Sequence, residues 1–329
     1  MTPEISILIP VYKVEEYITQ CLNSLLADPM INNCEIIICN DCTPDNSMEK
    51  VKNIIKNNPS ITFKILEHTE NKKIAVTRQD LLNEAKGKYI IFVDSDDWVE
   101  PNYLSTMYQA AEKNNADITT CNLIKNYSNQ KINITHNLDQ NTNNNIKNLI
   151  STKLPGYLHC KLLKRSVIVE NKINFDNDLI ISEDMLFILK LIFHTNCYCN
   201  TNQPLYNYRV ILSHSIFSEA DALERIKCNN KIEEVLKENN QYDLYKTNLA
   251  FRKIFSLIKA FSNAPFHICH KYYQYFKGQT KLIKIKNLKT FIYKIIAFSI
   301  DTKQVFLTDF IVSFFKLKHF LNNKRLKKI

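Results

Sequence analysis

The first 125 residues alternate short apolar runs with amphipathic segments, and this alternation limits the possible folds more than any other feature of the sequence. The apolar runs are 5–9, 35–39, 61–66, 89–93 and 117–121. The segments between them, 15–26, 46–57, 74–86 and 101–114, carry apolar residues at helical spacing. Strands that alternate with helices of this length are typical of βαβ units. The sequence therefore predicts an α/β fold with a mostly parallel central sheet.

Polar clusters follow three of the predicted strands. They lie at 10–12, 40–45 and 94–97, where the first, second and fourth apolar runs end. In parallel sheets, ligands bind beyond the carboxyl ends of the strands. We therefore expect the three clusters to meet at one edge of the sheet and to form a ligand site there.

The third cluster contains three carboxylates within four positions, Asp94, Asp96 and Asp97. Such a group is self-repelling unless a cation compensates it. Carboxylate oxygens suit Mg²⁺ or Mn²⁺, which proteins commonly hold with one or two carboxylates and substrate phosphates. The alternative is a solvated turn whose aspartate caps a helix that begins at Pro101. The position after a buried strand favours the metal site.

Beyond residue 125 the pattern changes twice. The Asn-rich stretch 126–148 is weakly periodic and is predicted to be a loop or an excursion at the edge of the fold. Ordered elements are predicted again at 162–174, 183–194 and 204–209, followed by a polar helix at 219–239. From Tyr245 the chain reads as helical, aromatic and basic. We predict two domains, an α/β domain over 1–216 and a helical, basic C-terminal extension over 217–329.

The charge of the chain is concentrated in this extension. From Tyr245 onward there are 18 Lys and Arg and two acidic residues, against 25 and 31 in the rest of the chain. Basic amphipathic helices, here with apolar faces over 291–299 and 305–314, favour anionic membrane surfaces. A helical cap with solvated lysines and a nucleic-acid-binding segment are the alternatives. We expect peripheral membrane contact and no nucleic-acid partner.

The cysteines indicate the compartment. Ten cysteines at scattered positions are typical of a reducing cytosol. We expect no signal peptide and no transmembrane helix, because the chain starts on a strand and has no run of about 18 apolar residues. Zinc binding by Cys39 and Cys42 with Cys197 and Cys199 is disfavoured, because a second C-x-x-C is missing. The predicted location is cytoplasmic, on the inner face of the membrane.

An ordered set of motifs resembles the family 2 glycosyltransferases, which have the nucleotide-sugar-binding fold called GT-A. The resemblance covers roughly residues 4–216. The motifs that carry it are Ile-Leu-Ile-Pro-Val-Tyr at 7–12, Glu-Ile-Ile-Ile-Cys-Asn-Asp at 35–41 with Asp45 and Ser47, Asn71 with Ala75 and Arg78, Ala-Lys-Gly-Lys-Tyr at 85–89, Asp-Ser-Asp-Asp-Trp at 94–98, Lys-Leu-Leu-Lys-Arg at 161–165, Glu183-Asp184, and Pro-Leu-Tyr-Asn-Tyr-Arg at 204–209.

The resemblance implies roles for the residues of the first domain. The ring of Tyr12 would stack on uracil, Asp41 would accept from the uracil N–H, and Asp96 would ligate a divalent metal, Mn²⁺ or Mg²⁺. Arg78 would lie near the diphosphate. The residues implied to hold the nucleotide sugar are Pro10, Val11, Tyr12, Asp41, Arg78, Asp94 and Ser95.

The remaining implied roles concern the reaction and the acceptor. Asp184 would be the base that takes the proton of the acceptor hydroxyl during an inverting transfer. Trp98, His159 and Glu183 are candidate acceptor contacts, with a structural role as the alternative for Trp98. His214 is a candidate for a further metal ligand, with a surface or packing role as the alternative. The alternative for Glu183 and Asp184 is an ordinary acidic pair at a helix N-terminus.

Two loops depart from the family pattern. The family commonly has Asp-Gly-Ser and Asn-Gly-Gly, whereas this chain has Asp41-Cys-Thr-Pro and Asn71-Lys-Lys. Glycine permits backbone conformations that other residues rarely adopt, so the family does not fix the paths of these loops.

The hypothesis that follows is an inverting glycosyltransferase that uses a nucleotide-sugar donor, with a UDP-sugar as the first choice, and a saccharide or lipid-linked saccharide acceptor. Its setting would be the synthesis of a bacterial surface glycan such as lipooligosaccharide, O-antigen or capsule. The alternative is a non-catalytic binding or scaffold protein with the GT-A fold. A nucleotidyltransferase is disfavoured, because the chain has only three glycines and no glycine-rich phosphate loop.

Overall fold

The computed structural model describes residues 2–211, 219–261 and 279–282. The chain divides into two compact units, one formed by Met1–Leu149 with Leu154–Leu212 and the other by Ile150–Lys153 with Ser213–Ile329. His214 and the predicted helical faces at 291–299 and 305–314 lie outside the described residues. The division into a catalytic domain and an extension at residue 216 stays a prediction.

The first unit consists of a central sheet and helices. Its strands are β1 (Ile5–Val11), β2 (Cys34–Asn40), β3 (Thr62–Glu67), β4 (Tyr89–Phe92), β5 (Trp98–Val99), β6 (Ile118–Asn126), β7 (Lys131–Ile134), β8 (Lys161–Lys164) and β9 (Tyr198–Arg209). Its helices are α1 (Ile18–Leu26), α2 (Ser47–Asn57), α3 (Ile74–Glu84), α4 (Tyr103–Asn114), α5 (Thr142–Ile150), α6 (Arg165–Glu170) and α7 (Glu183–Ile192).

The strand order is β3-β2-β1-β4-β8-β6-β9-β5, and β7 pairs with β6. The neighbours from β3 to β4 are parallel, as are β6 and β9, whereas β8 is antiparallel to both β4 and β6. The prediction of an α/β fold with a mostly parallel sheet is confirmed. Because β1, β2 and β4 are adjacent and parallel, the polar clusters that follow them lie at the same edge of the sheet.

The centre of the sheet is buried on both faces. All seven residues of β1 and all four of β4 are buried, which explains why these strands read as continuous apolar runs. Helix α1 packs its apolar stripe, Ile18, Cys21, Leu22 and Leu25, into the same core. Burial of a side chain of this size contributes roughly 1.5–3 kcal/mol.

The stretch 126–148, predicted to be a loop or an excursion at the edge of the fold, contains a strand and a helix. Strand β7 pairs antiparallel with the end of β6, where Ile134 lies opposite Leu123, and α5 follows. The Oδ1 of Asn141 accepts from the backbone N–H of Asn143 at 2.9 Å, as asparagine does where helices begin. Asparagine is unfavourable inside helices and strands but common in turns and at helix caps. The asparagine-rich composition of this stretch therefore did not indicate its two short elements.

The described part of the second unit contains helices α8 (Glu219–Glu238) and α9 (Tyr242–Phe261) and a short 3₁₀ turn, Gln279–Leu282. Buried polar contacts join the two helices. The Nε of Arg252 donates to Asn229 Oδ1 at 3.0 Å, and Lys253 pairs with Glu233 at 2.6 Å. Among the described helices of the chain, none is long and apolar enough to cross a membrane.

Asp45 ties the segment after β1 to the segment after β2. One of its carboxylate oxygens accepts from the hydroxyls of Thr43 at 2.7 Å and Ser47 at 2.6 Å, and the other accepts from the backbone N–H of Glu15 at 3.0 Å. Burial opposes ionisation, but these hydrogen bonds outweigh it and lower the pKa of Asp45 to about 2. The ionised carboxylate therefore stabilises the start of α2 and the loop behind Tyr12.

We expect Asp45→Asn to lower the free energy of unfolding by about 1 kcal/mol at neutral pH. The folded pKa lies below the unfolded value, so the contribution of the carboxylate is complete above about pH 5 and is lost as the pH falls toward 2. The difference between the wild-type protein and the variant should narrow between pH 6 and pH 3 in urea denaturation. Asp243→Asn, which alters an exposed carboxylate on α9, is the control. A difference that stays constant with pH would contradict this account.

Candidate active site

A cavity of about 370 Å³ lies at the carboxyl ends of β1, β2 and β4. We call it the first cavity. It brings together seven of the residues singled out in the sequence, from three separate segments. Its lining consists of Pro10, Val11, Tyr12, Val14, Asp41, Asn71, Lys73, Ile74, Thr77, Asp94, Ser95, Asp96 and Ile180.

Tyr12 and Asp41 both line this cavity, but Tyr12 is exposed and Asp41 is buried. The Tyr12 side chain is 40% exposed, which leaves its ring accessible for stacking. Asp41 is buried and held by three donors. Its Oδ1 accepts from the backbone N–H of Lys72 at 2.7 Å and lies 2.8 Å from His68 Nδ1, and its Oδ2 accepts from the N–H of Lys73 at 3.1 Å. Because one acceptor position remains on Oδ2, Asp41 can still receive a ligand N–H.

His68 is a site residue that the sequence did not reveal. Its side chain is 5% exposed, and its Nε2 lies 3.0 Å from Asp80 Oδ2. It thus joins Asp41 to a carboxylate on α3. Histidine at the end of an ordinary strand carries no sequence signal for such a contact, because the partner lies 27 residues away.

The two loops without glycine keep the backbone conformation that glycine favours. Cys42 has φ 55° and Lys73 has φ 74°, at the positions where the family commonly has glycine. A left-handed conformation costs a non-glycine residue roughly 1–2 kcal/mol. Lys73, with ψ 162°, adopts an extended positive-φ conformation that is used almost only by glycine. The hydrogen bond from the Lys73 N–H to Asp41 helps to hold the second turn in place.

Asp94 is the most strongly compensated carboxylate of the acidic cluster. Its Oδ1 accepts from Arg78 at 2.8 Å, and its Oδ2 lies 3.0 Å from His159 Nδ1. Burial acts to raise the pKa of Asp94, but Arg78 and the contact with His159 outweigh it and hold the pKa well below its usual range. Asp94 is therefore ionised at neutral pH.

Asp97 points away from the cavity. Its carboxylate accepts from the backbone N–H of Arg209 at 2.7 Å and from the hydroxyl of Tyr206 at 2.9 Å, both on β9. Burial, together with the neighbouring charges of Asp94 and Asp96, raises the pKa of Asp97 well above its usual range. The sequence predicted one cation for all three aspartates. In the structure, Asp94 and Asp97 have partners within the protein itself.

Asp96 is the aspartate of the cluster whose carboxylate can still bind a ligand. It lines the first cavity, and no other described residue donates a hydrogen bond to its carboxylate. Burial and the charge of Asp94 raise its pKa. Its backbone carbonyl accepts from Arg209 Nε at 2.8 Å. That guanidinium lies 4.6 Å from the ring centres of both Tyr17 and Trp98. Trp98 therefore packs on Arg209, and it does not line the first cavity.

A second cavity of about 310 Å³ adjoins the first, and the two share Ile74, Asp94 and Ile180. It brings the predicted residues Arg78, His159, Glu183 and Asp184 together. Its lining consists of Ile74, Arg78, Asp94, Tyr157, His159, Ile180, Ile181, Ser182, Glu183, Asp184 and Tyr208. Asp94 stands at the junction of the two cavities.

Helix α7 presents its acidic pair to this second cavity. Glu183 is buried and pairs with Arg78, while Asp184 Oδ1 accepts from the backbone N–H of Met185 at 2.6 Å. Burial raises the pKa of Asp184, although Arg78 opposes this. A raised pKa makes the carboxylate of Asp184 a stronger base than an exposed aspartate.

Arg78, which the family resemblance implied to lie near the diphosphate, lines the second cavity. It is buried on α3, and its two terminal nitrogens donate to Glu183 and Asp94. The guanidinium thus holds two carboxylates of the second cavity. Lys73, rather than Arg78, is the cationic residue among those that line the first cavity.

The donor groups at the junction fit a divalent cation. Asp94, Asp97 and His159 have ligand atoms within 4.8 Å of one another. Asp97 and His159 already have partners, and Asp97 faces β9. Asp96 lines the first cavity beside Asp94 and accepts no hydrogen bond from another described residue, so it offers a further carboxylate ligand there.

A mostly parallel α/β sheet with carboxylates after a central strand and two adjoining cavities is the architecture of the GT-A nucleotide-sugar transferases. The sequence model of the family "Glycosyl transferase family 2" matches residues 6–170. EpsH of Bacillus subtilis (strain 168), whose name includes the term glycosyltransferase, is 32% identical over 256 residues, which are 72% of this chain and 73% of EpsH. The chain belongs to the family 2 glycosyltransferases.

Further similarities support the fold and the family. A poly(ribitol-phosphate) beta-glucosyltransferase of Bacillus spizizenii is 33% identical over 192 residues, 56% of this chain and 29% of that protein. S. aureus TarS 1-349, solved in complex with UDP, superimposes with a TM-score of 0.65 at 16% identity over 96% of this chain and 92% of TarS 1-349. The mannosyltransferase PcManGT of Pyrobaculum calidifontis, solved with GDP-Man and Mn²⁺, has a TM-score of 0.53 at 12% identity, covering 96% and 88%.

Gly156 fixes the position of the acidic pair. A Cβ on Gly156 would lie 2.5 Å from Met185 Cβ and 2.7 Å from Met185 Cα, much closer than atoms can approach. Met185 directly follows Asp184. The loop before β8 therefore packs directly against the first turn of α7.

We expect Gly156→Ala to displace this turn and to lower the rate of sugar transfer about 10- to 100-fold, because small displacements of groups beside a reaction site cost rates of that order. The rate is measured as release of the nucleotide at saturating nucleotide-sugar donor. Gly87→Ala is the matched control, since its Cβ would meet the backbone N of Ser6 at 2.5 Å, away from both cavities. Full activity of folded Gly156→Ala would show that α7 does not depend on this contact.

Proposed function

We propose that this chain transfers a sugar from a UDP-sugar to a hydroxyl of a glycan or glycolipid, with inversion at the anomeric carbon. One observation carries the proposal. Tyr12, Asp41 and Asp96 line the first cavity, Asp184 lines the second, and Asp94 belongs to both. A donor that spans the junction would place its nucleotide on one side and its sugar beside a base on the other.

The first cavity is assigned to the nucleotide. The Tyr12 ring stacks on the base beside the backbone of Pro10 and Val11, and the remaining acceptor position of Asp41 receives a base N–H. Lys73 suits the diphosphate. The UDP and UDP-GlcNAc complexes of TarS, a structural neighbour, make uridine the leading choice of base.

Asp94 and Asp96 are assigned to a divalent metal, Mn²⁺ or Mg²⁺. Such a cation, when bound, stabilises the negative charge that grows on the departing diphosphate. Asp94 also reaches the ribose or the sugar. Ser95, between them, lines the same wall.

Asp184 is assigned as the base. It takes the proton of the acceptor hydroxyl while that oxygen attacks the anomeric carbon from the face opposite the nucleotide. The bond between the anomeric carbon and the phosphate oxygen breaks, and UDP departs with the electron pair. The elevated pKa of Asp184 suits this role, because a base is most effective when its pKa approaches the working pH.

Two substitutions test the roles of the two cavities separately. We expect Asp184→Asn to lower UDP release about 10²- to 10⁴-fold while UDP binding with Mn²⁺ persists. Asp96→Asn should weaken the Mn²⁺-dependent binding of UDP as well as turnover. UDP release from a panel of UDP-sugars and calorimetric titration with UDP measure the two effects.

Asp243→Asn, on the exposed surface of α9, serves as the control with full activity. Unchanged release in both site variants would overturn the residue assignment. A wild-type protein that binds UDP with Mn²⁺ but never turns over any donor would instead favour the non-catalytic GT-A module.

The basic C-terminal extension is assigned to the inner face of the cytoplasmic membrane, where lipid-linked acceptors of surface glycans are found. The support is the charge count, 18 basic and two acidic residues from Tyr245 onward. Each Lys or Arg near an anionic surface contributes on the order of 1 kcal/mol.

We expect the full chain to sediment with vesicles that contain phosphatidylglycerol and not with pure phosphatidylcholine vesicles. Replacement of Lys324, Arg325, Lys327 and Lys328 by glutamine should weaken this binding, since it removes four charges from the chain end. Binding at 0.5 M salt should be lost in both proteins. Equal sedimentation of the two proteins at low salt would remove these four residues from the contact.

A further inference from the structure

Lys161 is a buried cation that the proposed mechanism does not use. It lies on β8, its side chain is fully buried, and it lines neither of the two cavities. Its ammonium forms no ion pair with a carboxylate of the described residues. It donates instead to the backbone carbonyls of Pro155, at 3.5 Å, and Tyr157, and it lies 2.9 Å from His136 Nε2. Three acceptors therefore surround the three N–H groups of one ammonium.

The burial of this ammonium is unfavourable, which indicates a role for it. Transfer of a charged group from water into a protein interior must be compensated by hydrogen bonds and by opposite charge. Burial lowers the pKa of Lys161 to about 8, and the negative charge of Asp184 opposes this shift. The ammonium on β8 and the carboxylate on α7 thus interact through the protein interior, although no hydrogen bond joins them.

His136 is supplied by the stretch 126–148. Its backbone N–H donates to Asn122 Oδ1 on β6 at 2.9 Å, and its ring meets the Tyr157 ring edge-on, with centroids 6.4 Å apart. Burial and the charge of Lys161 lower the pKa of His136 well below its usual range, so the imidazole is neutral and Nε2 can accept from the ammonium. The same Nε2 lies 3.1 Å from the Pro155 carbonyl. The segment between β7 and α5 thus contributes a side chain to the loop before β8.

The two carbonyls that contact Lys161 belong to the residues on either side of Gly156. Gly156 itself packs against Met185, where an added Cβ would lie 2.5 Å from Met185 Cβ. The backbone N–H of Met185 in turn donates to Asp184 Oδ1 at 2.6 Å. A continuous series of contacts therefore runs from Lys161, through the peptides around Gly156, to the carboxylate at the start of α7.

We propose that Lys161 and His136 are positioning residues for the acidic pair of α7. The ammonium holds the carbonyls on both sides of Gly156, and the imidazole holds the ammonium. The loop in turn holds the first turn of α7, which carries Asp184. This inference rests on the proposed function, in which Asp184 is the base. Because neither residue lines a cavity, both act through the position of Asp184.

The first test separates turnover from donor binding. We expect Lys161→Met and His136→Leu each to lower kcat for UDP release about 10- to 100-fold, because small displacements of groups beside a reaction site cost rates of that order. The KM for the UDP-sugar and the Kd for UDP with Mn²⁺ should stay within about twofold, since neither residue lines the first cavity. Lys164→Met is the matched control with full activity, because Lys164 also lies on β8 but its ammonium contacts Asn115, at 2.8 Å.

A conservative variant tests whether the hydrogen bonds of His136 carry the effect. His136→Gln keeps a group that can accept from the ammonium or donate to the Pro155 carbonyl, whereas His136→Leu has neither. We expect His136→Gln to keep kcat within about fivefold of the wild-type value. Equal losses in the two variants would overturn the proposal. This pair decides the question by itself should Lys161→Met fail to fold.

A purely structural role predicts a different result. Urea denaturation of each variant gives the folded fraction, so that kcat is expressed per folded molecule. A lower denaturation midpoint with unchanged kcat and KM in Lys161→Met and His136→Leu would show that the two residues only stabilise the fold, and it would overturn the proposal.

Hydrogen exchange makes the test independent of turnover. The N–H of Leu186 donates to the Ser182 carbonyl at 3.1 Å and reports on the first turn of α7. It should exchange faster in Lys161→Met and His136→Leu than in the wild-type protein, and unchanged exchange would overturn the proposal. If exchange is faster and kcat is unchanged, the positioning role fails and the proposed function stands. If exchange is faster but the wild-type protein turns over no UDP-sugar, the proposed function fails and the contact with α7 stands.

Discussion

The guanidinium of Arg78 joins parts of the active site that are far apart in the sequence. It donates to Asp94 after β4 and to Glu183 at the start of α7, 105 residues from Arg78. A buried guanidinium is stable only when it is paired, and the two carboxylates are in turn stabilised by it. Both the junction of the cavities and the placement of Asp184 depend on this contact, because it holds Asp94 and the neighbour of Asp184, Glu183, to the same guanidinium.

The location of the site could be predicted because it follows from local pattern and topology. Strands β1, β2 and β4 are apolar runs buried on both faces, and each ends in polar residues. Parallel pairing must then bring those residues to one edge, so that Tyr12, Asp41 and Asp96 line a common cavity. The family resemblance added Asp184, whose acidic pair alone would not have distinguished it from an ordinary helix start.

The detailed chemistry could not be predicted, because it depends on contacts between distant residues. Asp96 and Asp97 are adjacent and identical in type, yet one faces a cavity and the other accepts hydrogen bonds from β9, more than 100 residues away. The same holds for His68 beside Asp41. Trp98 likewise packs on Arg209, 111 positions later in the chain. Residue type and spacing do not reveal which partner a side chain finds in the folded chain.

A motif can require glycine for two reasons, a positive φ or a lack of space for a Cβ. Because this chain has few glycines, the two reasons can be told apart. Ten described non-glycine residues have positive φ, among them Cys42 and Lys73 beside the first cavity. This strain is a dihedral cost of roughly 1–2 kcal/mol, which local hydrogen bonds can offset. The two described glycines, Gly87 and Gly156, instead occupy places where a Cβ would overlap neighbouring atoms at 2.5 Å. No hydrogen bond offsets such an overlap, so glycine persists where volume requires it and is dispensable where only the dihedral angle does.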